Sequence, residues 1–445
     1  MNITIIRRIR ILTCFMRELR ITGGAPLKGR VKIAGAKNAV SKQLIATLLT
    51  DKEVMLRNVP LNQEYEIARE LLEMIGAKTE LHDHTFTTQT KEITSTSTLE
   101  QSRKNRLSIL LAAPLLHRAG EAHVTRVGGD KIGPRPVNFH VDALQRMGAE
   151  FTEDEAGWHF KVNGRLKGAS VELGYPSVGA TETIIYAGVL AQGKTEIKNA
   201  AIEPEIIDMI MMLQKMGAII ELGAGRNITI IGVEKLHGCE HEILPDRLEV
   251  ASYASIALAT RGEIFCEGAR QDHMITFLNA VRQIGGVYEV RDDGILFKGA
   301  EKYKPVTITT DTAPGFSTDW QQPFVVALTQ AEGQSIVHET VLEDRFKYTE
   351  TLNKMGADIH IEYLPDQVQG RFRHMHYQQS AVINGPSKLT AQNMTVPDIR
   401  AGLAYVAAAL AAKGTSVIDG VDHLERGYED LYGKLRAIGA NIEVI

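Results

Sequence analysis

A chain of 445 residues exceeds what one hydrophobic core usually supports, so two or more domains are expected. A formal net charge of −4 with 23% charged residues excludes a partner drawn by overall basic charge, whether nucleic acid or an anionic membrane. No apolar run approaches the roughly 18 residues of a membrane span. Three scattered cysteines (Cys14, Cys239, Cys266) exclude a disulfide framework or a cysteine zinc site and fit a reducing, cytoplasmic compartment.

In chain order, Met1 to Met16 mixes apolar residues with Arg7, Arg8 and Arg10, and residues 1–16 read as a disordered extension. Beyond it one phrase recurs six times. An amphipathic helical segment ends in apolar–Gly–Ala or apolar–Gly–Gly, and an alternating, strand-like segment follows. The glycines are Gly76, Gly148, Gly217, Gly285, Gly356 and Gly439, spaced by 72, 69, 68, 71 and 83 residues. Glycine just past a helix supplies the left-handed cap. The longer last interval predicts a surface insertion around Gln367 to Gln378.

A second phrase interleaves with the first: an alanine- or leucine-rich helix, then a short strand running into a polar corner, as in Glu53–Asn58, Lys194–Asn199 and Gly414–Asp419. Each unit is therefore helix, strand, helix, strand, with a further strand implied by its length. Units of this size are too long for a solenoid and suit α/β units pooling helices into shared cores. Six of them most simply form two domains of three.

The first helix of each unit begins with polar or charged residues: Lys37-Asn38, Arg106, Ser177 to Glu182, Asp246-Arg247, Asp319, and Asp398 to Arg400. The corners carry Asp130 to Arg135, Glu203 and Glu205, Gln271, Glu343 to Arg345, and His423 to Arg426. Helix N-termini favour anions, so a cation there needs a reason, and Lys37, Arg135, Arg400 and Arg426 mark a candidate anion site. Thr181, Glu203 and Glu339 read as caps and turn residues. The loop from Arg126 to His140 concentrates glycine, proline, Arg126, Lys131, Arg135 and Asp130. Two histidine pairs, His82/His84 and His374/His376, alternate in polar surroundings without a third ligand and read as exposed rather than metal-binding.

Nine phrases in one order resemble a known family. They are Gly35-Ala-Lys-Asn-Ala39, Gly164 to Ala169, Ser177-Val-Gly-Ala-Thr181, Glu203-Pro-Glu-Ile206, Pro245-Asp-Arg-Leu-Glu249, Pro314 to Asp319, Glu339 to Glu343, Asp398-Ile-Arg-Ala401 and Arg426-Gly-Tyr-Glu429. From about residue 17 to the end the chain is similar to UDP-N-acetylglucosamine 1-carboxyvinyltransferases, the enolpyruvyl transferases of the first committed step of peptidoglycan synthesis. The resemblance implies an α/β (α+β) fold: a two-domain inside-out α/β barrel of six repeated units, with helices inside and sheets outside. It implies a first domain at 37–243 with a mobile loop at 126–137, and a second at 17–36 plus 244–445. It implies phosphoenolpyruvate and UDP-N-acetylglucosamine as substrates, no cofactor or metal, no nucleic-acid or membrane partner, and a monomer. By motif position Lys37, Arg135, Arg400 and Arg426 resemble the cationic clamp for phosphoenolpyruvate, and Asp319 the base toward the sugar hydroxyl. Asn38, Arg106, Arg135, Pro136, Val137, Asn138, His140, Ser177, Val178 and Gly179, with Val341 and Arg345, resemble the sugar-nucleotide site. Asp398 resembles an acid that assists proton handling.

The chain departs from the pattern at Asp130, where most members carry a cysteine associated with proton donation, product release and attack by the epoxide fosfomycin. Neighbouring Lys131 and Arg135 favour a charged Asp130, and bound phosphoenolpyruvate its protonated form. A carboxylate is a poor nucleophile for the epoxide, so activity is expected to be kept and covalent inactivation lost. Asn138 and Phe139 replace the usual aspartate and leucine. Val40-Ser41-Lys42 replaces small apolar residues and is expected to alter packing more than chemistry. Two other readings stay open: a shikimate-3-phosphate enolpyruvyl transferase, and a paralogue that binds the nucleotide sugar without turnover.

Overall fold

The structure is a computed structural model and describes residues 17–98, 107–125, 137–371, 377–396 and 402–445. The repeats of the sequence reappear as helices and small sheets. The helices Gln63–Ile75, Asn138–Arg146, Pro204–Lys215, Ile275–Gln283, Tyr348–Lys354 and Leu431–Ala437 are each followed by a glycine with positive φ, from 86° at Gly439 to 112° at Gly76. The strands Lys78–His82, Glu150–Glu153, Ile219–Gly223, Val287–Arg291, Asp358–Tyr363 and Asn441–Val444 come next. Six sheets form among the described residues, five of four strands and one of three.

Sheets lie outside because their strands alternate, as in Leu19–Gly23, where Leu19 and Ile21 are buried and Arg20 and Thr22 exposed. The central helices lie inside because they are buried nearly all round. Arg247–Ala259, Gln321–Leu328 and Gly402–Ala411 pack on one another, and their alanines let the backbones approach. Buried apolar side chains form two clusters. One runs from Ala36 to Leu244; the other combines Leu19 to Ile33 with Val250 to Ala440.

The N-terminal strand Leu19–Gly23 sits between Gly414–Asp419 and Asn441–Val444, antiparallel to both. Lys28–Lys32 runs parallel to Glu263–Glu267, so residues 19–32 complete two sheets of the C-terminal half. The chain leaves that half near Gly35 and returns near Pro245, where the two passes bridge antiparallel through Ala36 N to Leu244 O at 2.8 Å and Asp246 N to Ala34 O at 2.9 Å. Gly35 is required there: a Cβ would lie 1.8 Å from the Asn58 carbonyl oxygen.

No helix among the described residues is long and apolar enough to cross a membrane. His82 is exposed, and His84 Nδ1 lies 2.9 Å from the Val59 carbonyl oxygen. Among the described residues no group of three or more His, Cys, Asp or Glu is placed to hold a metal ion. Residues 1–16, His374 and His376 lie outside the described residues.

Candidate functional site

Between the two clusters lies a cleft of about 390 Å³, within the usual range for ligand pockets. The start of the Lys37–Ala46 helix enters it from one side. The Lys37 N–H donates to Asp246 Oδ2 at 3.0 Å, and Asp246 Oδ1 caps the Arg247–Ala259 helix through Leu248 N at 2.8 Å. One carboxylate thus fixes two helix starts across the crossing. Burial pushes Asp246 above the usual carboxylate range, opposed by these hydrogen bonds.

On the facing wall Ser177 caps the Val178–Val189 helix, its Oγ accepting from Ala180 N at 3.4 Å. The free N–H groups of that helix start point the positive end of its dipole toward the cleft. His140 sits behind, its Nδ1 2.7 Å from Thr183 Oγ1. Gly179 leaves room for that ring, because a Cβ would come within 3.1 Å of His140 Cε1. From the C-terminal half come Asp319 and Val341. Arg345, nearly fully buried, holds Asp319 Oδ1 at 3.2 Å. Arg426 approaches Glu64 at 3.9 Å from across the cleft.

Lys37, Asn38, His140, Ser177, Val178, Gly179, Asp319, Val341 and Arg426 therefore line one cleft. Val137 and Asn138 do not line it; they stand at the start of the Asn138–Arg146 helix, while Phe139 does line it. Arg345 stands behind Asp319 rather than on the wall. Arg106, Asp130, Arg135, Pro136, Asp398 and Arg400 lie outside the described residues.

Several lining residues were not assigned to the site from sequence. Lys42, expected to affect packing more than chemistry, lies on the wall. Glu203 holds the N-cap position of the Pro204–Lys215 helix, but its side chain makes no capping hydrogen bond; it is half-buried on the wall, and its Oε2 has no partner among the described residues. Thr181 and Glu339 do serve locally. Thr181 Oγ1 accepts from Ala201 N at 3.0 Å, and Glu339 Oε1 accepts from Val341 N and Leu342 N, both at 2.8 Å. Arg247 makes a buried two-pronged pair with Glu205, at 2.9 and 3.2 Å, and lies 5.3 Å from the Trp320 ring centroid. Arg371, from the segment expected to be a surface insertion, also lines the cleft.

Glu182 lies one turn into the Val178–Val189 helix and is buried on the wall. Burial pushes its carboxyl up to about 8, Glu203 and Glu205 push the same way, and Lys42 opposes them. A carboxyl raised on folding stabilises the fold fully below its unfolded pKa and loses that contribution as pH rises toward the folded value. Stability should therefore fall from mildly acidic pH toward about 8 in the wild type. Glu182→Gln should flatten this slope in urea titrations at several pH values. An equal slope in both proteins would contradict the assignment.

Residues 21–435 match the EPSP synthase (3-phosphoshikimate 1-carboxyvinyltransferase) family. A UDP-N-acetylglucosamine 1-carboxyvinyltransferase of Protochlamydia amoebophila is 45% identical over 441 residues, covering 97% of this chain and 95% of that protein. The chain belongs to the UDP-N-acetylglucosamine 1-carboxyvinyltransferase family. Proteins of the same name from Chlamydia trachomatis serovar D, 44% identical over 96% of this chain and 98% of that protein, and Staphylococcus aureus, 39% over 97% and 100%, agree. Among solved structures, the enolpyruvyl transferase NikO from Streptomyces tendae superposes with a TM-score of 0.85 at 22% identity, covering 96% of this chain and 98% of that one. EPSP synthase from Acinetobacter baumannii gives 0.73 at 18%, covering 96% and 100%. These two establish the enolpyruvyl transferase fold that the family resemblance implied.

Proposed function

We propose that this chain transfers the enolpyruvyl group of phosphoenolpyruvate to the 3′-hydroxyl of UDP-N-acetylglucosamine and releases phosphate. The observation that carries the reading is the meeting of Lys37, Arg426 and Asp319, the last held from behind by Arg345, with the Ser177–Gly179 helix start in one cleft. Full-length relatives bearing the transferase name support it.

The chemistry divides between the two walls. Lys37 and Arg426 supply positive charge for the phosphate and carboxylate of phosphoenolpyruvate, joined in this reading by Arg135 and Arg400. The helix start at Val178 takes the nucleotide's diphosphate. Asp319, aimed by Arg345, accepts the proton of the sugar hydroxyl as its oxygen bonds to C2 of phosphoenolpyruvate. C3 gains a proton, and a tetrahedral adduct forms. Loss of a proton from C3 and departure of phosphate from C2 then restore the double bond. Asp130 and Asp398 are the proposed proton carriers at C3. Residues 37–243 and 17–36 plus 244–445 act as the two domains that close on the substrates, excluding water from the adduct.

Mass spectrometry of the acceptor tests the reading. UDP-N-acetylglucosamine should gain one enolpyruvyl unit, and shikimate 3-phosphate none. The reverse preference would overturn it.

A further inference from the structure

The connections between the last two strands of the units differ sharply. Residues 83–84, 154–156, 224–226 and 292–293, two or three residues each, join four such hairpins. In the fifth, the strands Asp358–Tyr363 and Gln378–Gly385 are separated by fourteen residues, 364–377. Loops this long inside a compact fold usually have a task of their own. Here the described part of the loop turns back to the cleft. The Arg371 N–H donates to the Thr340 carbonyl at 3.1 Å, and the guanidinium carbon lies 4.0 Å from the centroid of the Tyr175 ring. Arg371 belongs to the C-terminal half and Tyr175 to the wall opposite, so the stack spans the cleft, and both residues line it.

The position of Tyr175 gives the contact its meaning. Its carbonyl accepts from Ser177 N at 2.7 Å, a tight turn that delivers the chain directly into the Val178–Val189 helix start. Arg371 is thereby seated beside N–H groups that already favour an anion. Stacking engages the π face of a guanidinium and not its N–H edge, so a stacked arginine still offers a planar fork to phosphate oxygens. A cation held on an aromatic seat also loses less freedom when it binds than one on an unrestrained chain.

We propose that Arg371, seated on Tyr175, is a further substrate-binding and specificity-determining residue, which donates to the diphosphate of the nucleotide sugar from the opposite side of the cleft to the helix start. This rests on the acceptor being a nucleotide sugar and adds to it a residue supplied by the enlarged hairpin.

The test compares wild type, Arg371→Ala and Arg371→Lys, with Gln369→Ala, an exposed position on the same loop, as control. Loss of a hydrogen bond to a charged group should raise KM for UDP-N-acetylglucosamine about tenfold in Arg371→Ala, with a much smaller change for phosphoenolpyruvate. Arg371→Lys should fall between, and the control should match wild type. UDP and uridine, measured by calorimetry, locate the contact: Arg371→Ala should narrow the preference for UDP over uridine by a similar factor. An unchanged preference, or equal loss for both substrates, would overturn the proposal. A wild type that binds UDP but does not turn over UDP-N-acetylglucosamine would refute the functional reading instead, and the UDP-to-uridine comparison would still decide the role of Arg371.

Discussion

Asp319→Asn should lower kcat by about 10²- to 10⁴-fold, the usual contribution of a positioned general base. The amide keeps the shape and one acceptor oxygen for Arg345 at the 3.2 Å contact but cannot take the hydroxyl proton. KM for UDP-N-acetylglucosamine should change far less than kcat, because the base acts mainly in the transition state. Arg345→Met should also lower kcat, by releasing Asp319 from its orientation. Steady-state kinetics on both variants, with thermal melting as a control for folding, checks this. An Asp319→Asn enzyme with kcat within a few-fold of wild type would remove Asp319 from the mechanism.

The second large effect is expected at the Arg247–Glu205 pair. Both side chains are below 10% exposed, at 9% and 6%, so solvent screening is weak. Glu205 starts the helix Pro204–Lys215 of one cluster, and Arg247 starts the helix Arg247–Ala259 of the other. Removing one partner of a buried pair costs about 3–5 kcal/mol, because the other charge stays buried. Nearby Glu203 and Asp246 soften the loss of Glu205, so Glu205→Gln should cost about 3 kcal/mol in urea denaturation. The double variant Glu205→Leu/Arg247→Met should recover much of that. A single-variant cost below about 1 kcal/mol would show that the pair is not what joins the halves.

Much of this architecture is legible in the sequence because it is repetitive. A glycine needed for a left-handed cap recurs at Gly76, Gly148, Gly217, Gly285, Gly356 and Gly439, and strand alternation follows each time. Repetition also marks the helix starts, which is why Lys37, Ser177 and Asp319 could be singled out. Their convergence on one cleft depends on the chain crossing between halves at Gly35 and Pro245, a pairing with no local signal.

Residues that face the cleft from deeper in a helix are harder to read. Lys42 and Glu182 lie beyond the first turn, in helices whose other positions are buried on every side, so periodicity does not distinguish a wall from a core. Arg371 left only an indirect trace, the 83-residue interval, and an interval carries no direction. Glu203 was read only in part, for a related reason. An acidic residue before Pro204 fits a helix cap, and it holds that position, but only the fold reveals that its carboxylate faces the cleft rather than capping the helix.

Phosphate release from phosphoenolpyruvate, measured with and without UDP-N-acetylglucosamine, tests the central claim most directly. The cleft described here predicts release only when both substrates are present, in step with enolpyruvyl product. Tight binding of the nucleotide sugar without phosphate release would contradict it and leave a nucleotide-sugar binder that does no chemistry.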